Sequence, residues 1–75
     1  MSFEITDEYL NKGLKGAELL VYAFLRKYIE QNGAAPSSYQ EVADELNISE
    51  RQVWRSMSAL KKDGHVIEIK SYKFS

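Results

Sequence analysis

Apolar positions along the chain fall into three helical stripes and one alternating tail. Leu14, Ala17, Val21, Phe24, Leu25 and Tyr28 recur at steps of three and four, and Leu20 and Ile29 widen the stripe. That period follows one face of a 3.6-residue turn and predicts an amphipathic helix over roughly residues 15–31. Asn32-Gly33 ends it, because glycine takes the left-handed cap conformation without a side-chain penalty. Ala34-Ala35-Pro36 is then extended, since proline pushes the residue before it out of the helical region. A second helix over about 39–46 turns Val42, Ala43 and Leu46 inward; a third over about 50–63 turns Val53, Met57 and Leu60 inward and is capped by Gly64. Val66-Ile67-Glu68-Ile69-Lys70 alternates and is rich in β formers, and Tyr72-Lys73-Phe74 alternates again. Residues 1–13 lack a long period: Phe3-Glu4-Ile5 fits a short strand, and Asp7 to Leu10 fits a turn of helix.

The joint between the second and third helices is the most specific signal. Ser38-Tyr39-Gln40-Glu41 and Ser49-Glu50-Arg51-Gln52 both fit S-x-x-E/Q, in which the serine accepts from the first turn and the fourth residue reaches back to the cap. Each cap stabilises its helix by about 1 kcal/mol. Only Leu46-Asn47-Ile48 lies between the first of these helices and the second cap. Asn47 accepts the left-handed conformation that a sharp corner demands, and Ile48 plugs the corner. Two short helices joined this closely must cross steeply, as in a helix-turn-helix.

Seventy-five residues make one small domain, expected to bury about 60–65% of its unfolded surface. Without cysteine there is neither a disulfide framework nor a thiolate metal site, and His65 alone makes no metal set, so no cofactor is expected. No apolar run is long enough to span a bilayer, which predicts a cytoplasmic protein with no membrane partner. No nucleophile–base spacing, glycine-rich phosphate loop or paired carboxylates suggest an enzyme; Glu41, Asp44 and Glu45 fit a solvated face. The net charge of −1 conceals a polarity. Residues 1–48 carry four Lys/Arg against eight Asp/Glu, whereas residues 49–75 carry six against three. Such segregation focuses a positive field on one end of a nearly neutral molecule.

Arg51, Gln52 and Arg55 fall on the side of the third helix opposite Val53, Met57 and Leu60. Arginine grips guanine bidentately and glutamine grips adenine, each good pair giving about 1–3 kcal/mol of discrimination. Lys61, Lys62, Lys70 and Lys73 suit sequence-blind phosphate contacts, though Lys61 and Lys62 also complement the helix dipole ahead of Gly64. Ser49 is a cap first, and the free N–H groups of its helix also suit a phosphate. Trp54 has two readings: cover for the seam between helices, the favoured one, or contact with a nucleic-acid backbone or protein partner.

The stretch Leu14 to Ile69 resembles the winged helix-turn-helix DNA-binding domains of bacterial, phage and plasmid replication-initiation proteins and of small transcription regulators. The residues carrying the resemblance are Val21-Tyr22-Ala23-Phe24-Leu25, Pro36-Ser37-Ser38, Val42-Ala43-Asp44-Glu45-Leu46-Asn47-Ile48-Ser49, Val53 and Leu60-Lys61-Lys62-Asp63-Gly64. The resemblance implies a mainly α fold with a small β element, its third helix in the major groove and its tail on the backbone nearby. The positions it implies are Ser49, Arg51, Gln52 and Arg55 on the helix, with Lys70 and Lys73 on the tail. Two residues depart from it: Ser56 stands where an aliphatic residue is usual, which predicts looser packing, and Trp54 stands where a polar or basic one is usual.

Residues 1–75 are therefore expected to form one winged helix-turn-helix domain, with 1–13 as an arm or short strand and 65–75 as the wing or tail. Lys70-Ser71 is a poor two-residue hairpin turn, which predicts a short or degenerate wing, a tail paired with Phe3-Glu4-Ile5, or a second wing strand cut off. The expected partner is double-stranded DNA, with a winged-helix protein-interaction module as the alternative and a further stretch of a longer parent as an added partner. No dimerisation helix is visible, so a monomer is expected.

Overall fold

The computed structural model describes residues 5–68 and 72–74. Four helices precede a two-stranded antiparallel sheet: α1 (Asp7–Asn11), α2 (Gly16–Asn32), α3 (Tyr39–Leu46), α4 (Glu50–Lys62), β1 (Val66–Glu68) and β2 (Tyr72–Phe74). This is a mainly helical chain with a small β element, consistent with a winged helix-turn-helix.

The helix ends follow the residues that the sequence places there. Asn32 leads into Gly33, whose φ of 73° ends α2 while its N–H donates to the Ile29 carbonyl. Asn47 adopts φ 57°, ψ 44° at the end of α3, the left-handed corner that its short amide side chain tolerates. The Ile48 N–H then donates back to the Ala43 carbonyl at 3.0 Å, and the chain enters α4 two residues later. At the far end of α4, the His65 N–H reaches the Leu60 carbonyl and the Gly64 N–H reaches that of Lys61. This paired closure, with glycine at φ +78°, is a Schellman stop.

The core gathers Leu14, Val21, Tyr22, Phe24, Leu25, Val42, Ala43, Val53, Met57, Leu60 and Val66. α2 lies at its centre and packs against α1, α3 and α4. Five consecutive residues of α2, Val21 to Leu25, are buried, so its middle is covered on every side. The single stripe expected from periodicity is thus too narrow. It omits Tyr22 and Ala23, while Ala17, Leu20, Tyr28 and Ile29 on that stripe are only half-buried. Tyr22 is fully buried, its ring edge-on to Tyr9 and Phe74 at 5.2 and 5.5 Å between centroids.

At both ends of the chain the structure decides between the readings that the sequence left open. The turn of helix read at Asp7 to Leu10 is present as α1, capped by Thr6, whose hydroxyl accepts from the Tyr9 N–H, and Ile5 belongs to no strand. Phe3 and Glu4 lie outside the described residues. The tail pairs with its own wing strand, in the register Val66 with Phe74, Ile67 with Lys73 and Glu68 with Tyr72, so the second wing strand is present. Val66, Tyr72 and Phe74 turn to the core, while Ile67 and Lys73 are exposed. The wing is short, with three residues in each strand. The turn expected at Lys70-Ser71 lies outside the described residues.

Candidate nucleic-acid interface

α4 is held in place from both ends and from beneath. At its start, the Ser49 hydroxyl accepts from the Gln52 N–H at 3.1 Å, and the Gln52 carboxamide oxygen accepts from the Ser49 N–H at 3.1 Å. The predicted capping box is closed in both directions. Beneath, Val53, Met57 and Leu60 are buried as expected, and Ser56 joins them at 4% exposure.

The outer face carries the cations. Arg51, Arg55, Ser58 and Lys62 are all exposed, and their spacing of four, three and four places them in one row along the helix. Among the described residues, neither the Arg51 nor the Arg55 side chain has a hydrogen bond, ion pair or ring contact. Lys61 is exposed on one flank of the row, and Lys73 is exposed on the outer face of β2. Ser58 was missed, although its place on the arginine stripe follows from the same count that selected Arg51 and Arg55. Lys70 lies outside the described residues.

Gln52 sits differently from the arginines. Its carboxamide oxygen is engaged by the cap, which leaves the N–H₂ end to donate outward. Adenine readout needs both ends of the amide at once, so Gln52 must leave its cap to make that pair.

Trp54 does not cover a helix seam; it is 61% exposed on a flank of α4, which overturns the packing role favoured from the sequence. The aromatic bulk around the core comes instead from Tyr22 and Phe24 of α2 with Tyr9, Tyr28, Tyr39, Tyr72 and Phe74. Ser56, where looser packing was expected, borders an open cleft of about 260 Å³ between α4 and the start of α2.

Elsewhere, Glu41 and Arg26 are tied into the fold. The Glu41 carboxylate does not return to the Ser38 cap as the S-x-x-E pattern suggests. It accepts from the Ser37 N–H at 2.9 Å, from the Ser37 hydroxyl at 3.0 Å and from the Tyr28 hydroxyl at 3.1 Å. The Ser37 backbone and hydroxyl bonds hold its carboxyl below the usual range, and Tyr28 adds to this. Arg26, on α2, lies 5.3–5.7 Å from the ring centres of Tyr9, Tyr22 and Phe74, and 3.7 Å from the Glu8 carboxylate. Burial opposes its charge, but the hydrogen bond to the Tyr22 hydroxyl and the electrostatic influence of Tyr22, Tyr9 and the Glu8 carboxylate more than offset this, raising its pKa. His65 stands edge-on to Tyr22 at 6.4 Å. Among the described residues, no group of His, Cys, Asp and Glu side chains is arranged to hold a metal ion. No helix of the described residues is long and apolar enough to cross a membrane.

No curated protein matches this chain. A family model described as "HTH domain" matches residues 24–73, which takes in the C-terminal half of α2, the α3–corner–α4 unit and nearly all of the wing. The chain belongs to this helix-turn-helix domain family, a membership that supports DNA binding in general.

Proposed function

We propose that this chain is a double-stranded DNA-binding domain whose α4 enters the major groove, serving a replication initiator or transcription regulator of a bacterium or mobile element. The observation that carries the reading is the exposed row Arg51, Arg55, Ser58 and Lys62 on a helix anchored by a closed capping box. Recognition helices of this motif present their N-terminal half to base edges. Arg51 and Arg55 lie in that half and read guanine edges, and Gln52 adds adenine contact only where the cap opens. Lys61 and Lys62 at the end of α4, with Lys73 of the wing and Lys70, hold phosphates. Residues 1–75 act as one winged helix-turn-helix domain, monomeric in isolation and working in the cytoplasm. No step of this reading calls for catalysis or a cofactor.

So few cations bind weakly alone; sequence-blind affinities near physiological salt are typically about 10⁻⁴ to 10⁻⁶ M. A second reading, a protein-interaction module, is favoured by one observation, the 61% exposure of Trp54. Titration of isotope-labelled protein with random duplex at low salt separates the two. Shifts clustered at 49–58 and in the wing are expected for DNA. Absence of shifts with DNA, together with shifts around Trp54 when a protein partner is added, would replace this reading with the second.

A further inference from the structure

The cleft beside Ser56 is lined by Lys15, Ala17 and Glu18 from the start of α2 and by Gln52, Arg55 and Ser56 from α4. α2 begins without a side-chain cap: Lys15 occupies the cap position and makes no capping hydrogen bond. The first-turn N–H groups therefore lack the partner that Ser49 provides for α4, and such a terminus draws negative charge. Ser56 supplies an independent sign. It is only 4% exposed, and no hydrogen bond holds its hydroxyl among the described residues. No fully enclosed polar side-chain atom lacks a partner there, so what remains accessible of that hydroxyl opens to the cleft it lines. Lys15 and Arg55, both exposed, bring two positive charges to the same opening, and neither has an ion pair among the described residues. Among the described residues that line the cleft, Glu18 is the one acidic group.

We infer that this cleft holds a DNA backbone phosphate, with Lys15, Ser56 and the α2 N-terminus as ligands and Arg55 bridging from base edge to backbone. The inference rests on the DNA reading and deepens it. A phosphate clamped between α2 and α4 fixes how far α4 turns about its own axis in the groove, so the contact positions the arginines without reading sequence. Glu18 weakens the site by repulsion, which gives the proposal a substitution that should improve binding.

The test is fluorescence anisotropy of labelled duplexes of unrelated sequence, titrated with the full chain at several salt concentrations. Lys15→Gln should weaken binding several-fold on every duplex and reduce the magnitude of the salt slope by about 0.9, the value of one phosphate contact. Ser56→Ala should weaken all duplexes alike, and Glu18→Gln should tighten them. Lys27→Gln removes the same charge from near the other end of α2 and should have the smaller effect. Thermal melts confirm that each variant is folded, and Lys15, being exposed, tolerates the change. If Lys15→Gln and Glu18→Gln both leave affinity within twofold of the parent while Arg55→Ala weakens it, the cleft site is refuted and the DNA reading stands. Equal losses from Lys15→Gln and Lys27→Gln refute it too. If the parent chain binds no duplex at all, both readings fall together.

Discussion

Arg26 on α2 and the pair Arg51 and Arg55 on α4 show two fates of the same side chain. Arg26 lies among three aromatic rings from α1, α2 and β2, donates to the Tyr22 hydroxyl at 3.3 Å and pairs with Glu8. Its guanidinium ties the first helix and the wing to the central helix. Arg51 and Arg55 touch no ring and form no ion pair among the described residues, although their helix is as firmly anchored. Arg26 serves the fold; Arg51 and Arg55 lie exposed on the outer face of α4, where the proposed function puts DNA. Charge counts along the sequence treat all three alike, and only their surroundings separate an arginine held in the fold from two left exposed.

The comparison breaks most visibly at the core. Tyr22→Ala should cost about 3–5 kcal/mol, the range for large aromatic truncations. That is a large share of what a domain of this size has, so urea denaturation should show a fraction unfolded even without denaturant. Trp54→Ala, on an exposed flank, should change stability by no more than about 0.5 kcal/mol in the same measurement.

A smaller effect sharpens the contrast between the arginines themselves. Arg26→Ala should destabilise by about 1–2 kcal/mol, since a cation facing several rings gains more than the roughly 0.5–1 kcal/mol of one exposed contact. Arg26→Lys should not fully restore it, because a compact ammonium lacks the planar faces that stack on rings. Arg51→Ala and Arg55→Ala should each fall within about 0.5 kcal/mol of the parent. A comparable loss from all three would erase the distinction.

The two serine caps give the next comparison. Ser49→Ala should cost about 1 kcal/mol, and Ser38→Ala a similar amount, because both hydroxyls accept from a first-turn N–H. Their fourth residues differ. Gln52 closes its box, whereas Glu41 is drawn away to Ser37 and Tyr28. The Glu41 carboxyl therefore titrates below its unfolded value, and its contribution to stability is fully present above that unfolded value. It is lost as the pH falls through the lower folded value. The Tyr28 hydroxyl is raised chiefly by its bond to Glu41, so its share holds below the unfolded tyrosine value and is lost as the pH rises through the folded one. Melting temperatures across pH should fall at both ends, and Glu41→Gln should flatten the acid limb while Gln52→Ala leaves its shape unchanged.

The local features were legible before any coordinates. The Asn47 corner, the Ser49 box, the Gly33 and Gly64 stops and the inward faces of α3 and α4 depend on residues a few positions apart, where spacing decides which groups meet. What escaped the sequence depends on distant residues. Tyr22 is buried because α1, α2 and β2 converge on it, and a periodic stripe records only one face of a helix. Glu41 follows S-x-x-E in sequence but finds Tyr28, thirteen residues back, within reach. The aromatic box around Arg26 draws on positions 9, 22 and 74, which no local pattern links. At the candidate interface, the arginine row was readable from helical spacing. The cleft behind it was not, because it exists only where the start of α2 meets α4.

On the proposed function, Arg51 and Arg55 are held out for a partner rather than for the fold. The direct measurement is the affinity of the parent and of Arg51→Ala/Arg55→Ala for labelled duplex across a salt series. Binding that weakens steeply with salt is predicted, with a loss of at least about tenfold in the double variant, since each bidentate base contact is worth about 1–3 kcal/mol. Affinity indifferent to salt, or unchanged when both guanidinium groups are removed, would contradict it.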